Sequence, residues 1–83
     1  MTVYDFVVTV TDLDFDDTTV ACFRAAGCMD AVIMQQRDVI QLDFSRSADS
    51  MQQAIDSALD DIGKVGGTIL KYEFVNNRYF SQG

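Results

Sequence analysis

The side chains of this sequence that could do chemistry are almost all carboxylates. Of thirteen acidic residues Glu73 is the only glutamate and twelve are aspartates, set against six Lys and Arg and no histidine, for a formal net charge of −7. Without an imidazole there is no side chain whose ordinary pKa suits proton transfer near neutrality, and none to complete a zinc site. The densest group is Asp12-Leu13-Asp14-Phe15-Asp16-Asp17, whose spacing is that of an opening calcium loop. Such a loop needs glycine at its sixth position and glutamate at its twelfth, and those positions hold Asp17 and Phe23. The cluster therefore reads as solvated, helix-capping aspartates, with weak adventitious divalent binding as the alternative, and no cofactor or metal is expected. Carboxylate pairs arise by chance in any chain this rich in aspartate. None here is set in an apolar surround, and no nucleophile has a base beside it, so the expectation is that the protein is not an enzyme.

Cys22 and Cys28 are the only cysteines. A small secreted domain held by disulfides would normally carry more, at regular spacings. Both are expected to be reduced, buried, small apolar residues; the alternative is a redox pair or half a metal site. No apolar run approaches the ~18 residues of a membrane span, and no basic start followed by a short apolar stretch suggests export. The expected location is the cytoplasm.

The elements that must position these groups follow from hydrophobic periodicity. Tyr4, Phe6, Val8 and Val10 alternate with Asp5, Val7, Thr9 and Thr11, the period of a half-buried strand. Asp16 or Asp17 can cap a helix from about Thr18 to Ala26, with Val20, Phe23 and Ala26 at helical spacing and Gly27 as its stop. Ala31 to Gln36 and Val39 to Ser45 read as two strands around the turn Gln36-Arg37-Asp38. Ser50 followed by Gln53 fits a capping box. Met51, Ala54, Ile55, Ala58, Leu59 and Ile62 then give the strongest helical stripe in the chain, ended by Gly63, Gly66 and Gly67. Thr68 to Val75 is a last strand, with Leu70, Tyr72 and Phe74 on one face and Ile69, Lys71 and Glu73 on the other. Strand, helix, strand, strand, helix, strand closes most simply as a ferredoxin-like α+β fold: a four-stranded antiparallel sheet with two helices on one face. Residues 1–75 form that domain and 76–83 a polar C-terminal tail carrying Tyr79 and Phe80, either a lid on the domain or a partner anchor.

Tyr4-Asp5-Phe6, Ala25-Ala26-Gly27-Cys28-Met29-Asp30-Ala31, Leu42-Asp43-Phe44-Ser45-Arg46 and the Ser50–Ile62 pattern S-x-x-x-A-I-x-S-A-L-x-D-I together resemble the N-terminal domain of small bacterial DNA-binding proteins. In those proteins a βαββαβ unit precedes a helix-turn-helix. The resemblance covers Tyr4 to Phe74 and rests mostly on core and turn positions, so it implies the fold. This sequence ends at Gly83 without the helix-turn-helix, and DNA binding is not carried over.

The excess of acid makes nucleic acid and anionic membrane poor partners and a basic protein surface a good one. The second helix leaves Asp49, Gln52, Gln53, Asp56, Asp60 and Asp61 facing water. Asp60 and Asp61 also sit near a helix C-terminus, where negative charge is disfavoured by roughly 0.3–1 kcal/mol each at an exposed site. These residues read either as an ordinary solvated face or as a surface that imitates phosphate spacing, with Asp12, Asp14, Asp16 and Asp17 as a second patch. The open sheet face is expected to carry Asp5, Val7, Thr9, Val39, Gln41, Asp43, Ile69, Lys71 and Glu73, without the aromatic residues that RNA-binding versions of this fold use. Val7, Val39, Ile69 and Ile33 would make a modest apolar patch there, so the protein is expected as a monomer or a homodimer. In general character it is similar to anti-CRISPR proteins of bacteriophages. The expected function is a non-catalytic inhibitor that occupies the basic nucleic-acid-binding surface of a bacterial complex. The alternative is a stand-alone dimerisation or regulatory module partnering a DNA-binding subunit.

Overall fold

The computed structural model describes residues 2–75. The elements are β1 (Thr2–Thr11), α1 (Asp17–Ala26), β2 (Ala31–Gln36), β3 (Val39–Ala48), α2 (Met51–Val65) and β4 (Thr68–Phe74). All strand pairs are antiparallel, and the sheet order is β2-β3-β1-β4. This is the ferredoxin-like α+β fold. Tail residues 76–83, with Tyr79 and Phe80, lie outside the described residues.

Alternation builds the core. Phe6, Val8 and Val10 of β1 pair with Phe44, Leu42 and Ile40 of β3, and all six are buried beneath the helices with Phe23, Ala54, Ile55, Ala58 and Ile62. Each large side chain buried in this way contributes roughly 1.5–3 kcal/mol relative to an exposed position. Asp16 caps α1 by accepting the Thr19 backbone N–H at 2.8 Å. That amide, more than any other contact, holds the Asp16 carboxyl below the usual carboxylate range. Ser50 Oγ accepts the Gln53 N–H at 3.1 Å, while Gln53 Oε1 accepts the Asp49 N–H at 2.8 Å. The reciprocal capping box is thus formed.

Four expectations need correction. β3 continues three residues past Ser45 because Arg46 and Ala48 keep the inward alternation. Gly63 lies inside α2, which ends instead at Gly66, a C-cap with φ of 106°. In β4 a bulge shifts the register between its pairings with Thr9 and Val10. Ile69 therefore sits opposite Val10 on the core side, and Leu70 is 55% exposed. Ile33, paired with Leu42, also packs against the core, so neither Ile33 nor Ile69 belongs to the open-face patch. Their places on that face are taken by Val32 and Met34, paired with Asp43 and Gln41.

Candidate functional site

The proposed carboxylates divide into those that hold the fold and those that do not. Asp12, at φ of 69°, accepts the Thr68 hydroxyl at 2.6 Å, which ties the end of β1 to the start of β4. Asp16 is the α1 cap, and Asp56 accepts the Gln52 side-chain amide at 2.8 Å. Asp12 and Asp16 are thus turned to different partners, and among the described residues no group of three His, Cys, Asp or Glu side chains could hold a metal ion.

Asp61 departs most from expectation. It does not face water: its side chain is 18% exposed, and it pairs with Arg46 at 3.1 Å and Lys64 at 3.5 Å. Arg46 is the hub of this cluster. Its guanidinium makes a two-point contact with Asp30, Nε to Oδ2 at 2.8 Å and a terminal nitrogen to Oδ1 at 2.9 Å. It also donates to the Gly27 carbonyl at 2.9 Å and the Ser57 hydroxyl at 3.1 Å, and lies 4.9 Å over the Phe44 ring. One side chain on β3 thereby fastens the end of α1, the entry to β2 and the middle of α2. Hydrogen bonding to Asp30 is the largest reason that Arg46 is held even more firmly protonated than an ordinary arginine. Sequence reasoning missed this role, and the available signal was an arginine at an inward position of an otherwise regular strand alternation. Gly27, at φ of 120°, completes the cluster, since a Cβ there would stand 2.7 Å from an Asp61 carboxylate oxygen.

Asp14, Asp17, Asp49 and Asp60 remain. All four are exposed, and their carboxylates make no ion pair or hydrogen bond among the described residues. Topology separates them. The Asp12–Asp17 loop lies at the end of the sheet where α2 hands over to β4, with Leu13 directly against Gly67. Asp49 follows Ala48, which pairs with Thr2 at the opposite end. Of the eight proposed residues, the Asp12–Asp17 loop and Asp49 therefore lie at opposite ends of a helix about 22 Å long, with Asp56, Asp60 and Asp61 spaced along it.

The cysteines also differ from each other. Cys28 is fully buried, but Cys22 is exposed, contrary to expectation, because it lies off the Phe23 side of α1. Burial first, and then the nearby Asp61 charge, pushes the Cys28 thiol up to about 11. An aromatic disulfide reagent at pH 8 should titrate one thiol per native chain quickly and the second about 100-fold more slowly, until denaturant is added. Two equally fast thiols would contradict the burial of Cys28.

The open face carries no aromatic side chain among the described residues, and no described helix is long and apolar enough to cross a membrane. Comparison with family models, curated proteins and solved structures yields no match to this chain.

Proposed function

We propose that the protein is a non-catalytic acidic inhibitor, of the anti-CRISPR kind carried by bacteriophages and mobile elements. It would work in the cytoplasm by occupying the basic nucleic-acid-binding surface of a bacterial protein complex. One observation carries the reading: thirteen acids against six bases leave a net charge of −7, and several of those acids stand at the surface without a cation. Of its described bases, Arg46 is buried against two carboxylates, Lys64 and Lys71 are ion-paired with Asp61 and Glu73, and Arg24 and Arg37 are exposed. Asp14, Asp17, Asp49 and Asp60 are left exposed without a cation among the described residues. The contact residues are accordingly those four, with Asp56 beside them. Asp61, Asp12 and Asp16 serve the fold.

The test is competition. Increasing protein is added to a guide-RNA-loaded bacterial interference complex, and capture of its target DNA is measured at 0.1 M and 0.5 M salt. Wild-type protein should suppress capture, less so at the higher salt. The triple variant Asp14→Asn, Asp17→Asn, Asp60→Asn should be about tenfold weaker at low salt, from about 0.5 kcal/mol per exposed charge, with an unchanged melting temperature. Equal potency of variant and wild type would reject the acidic mechanism.

A second reading, a stand-alone interaction module partnering a DNA-binding subunit through the sheet, is favoured by the apolar exposure of Val3, Val32 and Met34. Binding that is insensitive to salt would support it over the first.

A further inference from the structure

The two open edges of the sheet are built differently. β4 is guarded: it carries Lys71 and Glu73, and its bulge interrupts the regular edge. β2, at the other side, is Ala-Val-Ile-Met-Gln-Gln, six residues with no charge, no proline and no bulge in its pairing with β3. Strand edges left in this state are templates for another strand, and native proteins normally blunt them. In a chain with a net charge of −7, a six-residue edge free of charge is also the place where two copies can approach with least repulsion.

We propose that two copies of this chain join by antiparallel pairing of their β2 edges, giving a continuous eight-stranded sheet. The register follows from the hydrogen bonds already made. The Ser45 N–H donates to the Asp30 carbonyl at 3.0 Å, so the even positions of β2 turn their backbone groups toward β3. The odd positions Ala31, Ile33 and Gln35 turn theirs outward, except that the Ala31 N–H is used by the Cys28 carbonyl at 3.4 Å. Centring the two-fold axis on Ile33 lets each Ile33 N–H donate to the Ile33 carbonyl of the second copy. Each Gln35 N–H then donates to an Ala31 carbonyl.

The same register is complementary in side chains. It sets Val32 of each copy directly opposite Met34 of the other, and these are 61% and 39% exposed on the open face. A non-hydrogen-bonded pair of this kind brings the side chains closest together. It also brings Arg37, which has no ion pair among the described residues, beside Met29 and Asp30 of the second copy. Arg37 holds a φ of 56°, a conformation that disfavours any residue with a Cβ. That positive φ is what the two-residue turn between the paired Gln36 and Val39 requires. Shifting the axis by one position, to Met34, would oppose Asp30 to Asp38, two like charges.

This inference is independent of the charge-based reading above, because it uses none of Asp14, Asp17, Asp49, Asp56 or Asp60. Sedimentation equilibrium at 100 μM chain is expected to give twice the chain mass of 9.2 kDa, with the dimer strengthened from 0.1 to 0.5 M salt as repulsion between the copies is screened. Val32→Lys with Met34→Lys should weaken the dimer about 100-fold without changing the far-UV spectrum, whereas Leu70→Lys on the other edge should leave it intact. Cysteines at the paired positions report the register. In a Cys22→Ser background, Val32→Cys with Met34→Cys should cross-link on oxidation, and Met34→Cys alone should not. A monomer at both salt concentrations, a dimer indifferent to the Val32 and Met34 substitutions, or cross-linking by Met34→Cys alone would each overturn the proposal.

Discussion

Arg46→Met should lower the thermal unfolding midpoint by about 15–30 °C, corresponding to a loss of about 3–5 kcal/mol in a domain of this size. The effect does not come from the attraction of opposite charges as such, which desolvation largely offsets. It comes from what the truncation leaves behind. Asp30 and Asp61 would lose the guanidinium that satisfies them at 2.8 Å and 3.1 Å, in surroundings where their side chains are only 34% and 18% exposed. The Gly27 carbonyl and Ser57 hydroxyl would lose their donor as well. Arg46→Lys should fall between the two, because an ammonium cannot reproduce the two-point contact with Asp30. A triple variant, Arg46→Met with Asp30→Asn and Asp61→Asn, should recover more than half of the loss, since no partly buried charge then lacks a partner. Calorimetry on the four proteins decides the matter. A triple variant no more stable than the single one would place the loss in packing over Phe44 and not in orphaned carboxylates.

Phe6→Ala should cost about 3–5 kcal/mol, read as a lower urea midpoint at unchanged slope. Phe6 is fully buried at the centre of the sheet. Its ring stacks on Phe44 with centroids 5.1 Å apart and meets the edge of Phe74 at 5.8 Å. Truncation therefore removes transfer energy and two aromatic contacts, and opens a cavity between rigid strands that have little freedom to collapse into it. A domain of this size has about 4–12 kcal/mol of stability in all, so this one truncation would remove a large share of it. Phe15→Ala is the control. Phe15 sits in the aspartate loop at 37% exposure, and its loss should stay within about 1 kcal/mol. Equal effects from the two substitutions would contradict the arrangement of the core.

The sequence made the core legible wherever the hydrophobic period was clean. Phe6, Val8, Val10, Ile40, Leu42 and Phe44, and the α2 stripe from Ala54 to Ile62, are where their spacing puts them. The fold class followed from the order of those segments. Two features were hidden because each depends on a partner distant in the chain, and a third was misjudged from residue type. Ile69 and Leu70 exchanged faces through a bulge, and one inserted position reverses the alternation beyond it. Arg46 fell just past the expected end of its strand and Asp61 was expected to face water, and only the meeting of β3, α1 and α2 makes them an internal pair. Cys22 was expected inside because cysteine is usually buried, but α1 turns that position outward. The amount of negative charge can be counted from the residues, but its distribution over the surface cannot. That distribution depends on which acids the fold itself consumes, and Asp12, Asp16 and Asp61 are such acids.

The place of β4 has a consequence for synthesis on the ribosome. β1 lies inside the sheet, yet one of its neighbours is β4, so Thr2–Thr11 is made before every other element of this domain and cannot complete its pairing until residues 68–74 have emerged. In the interval a nascent chain holding β1, β2 and β3 would present the bare flank of a central strand, with no Phe74 to close over Phe6. Premature termination between α2 and β4 should therefore yield insoluble fragments and not a smaller folded domain.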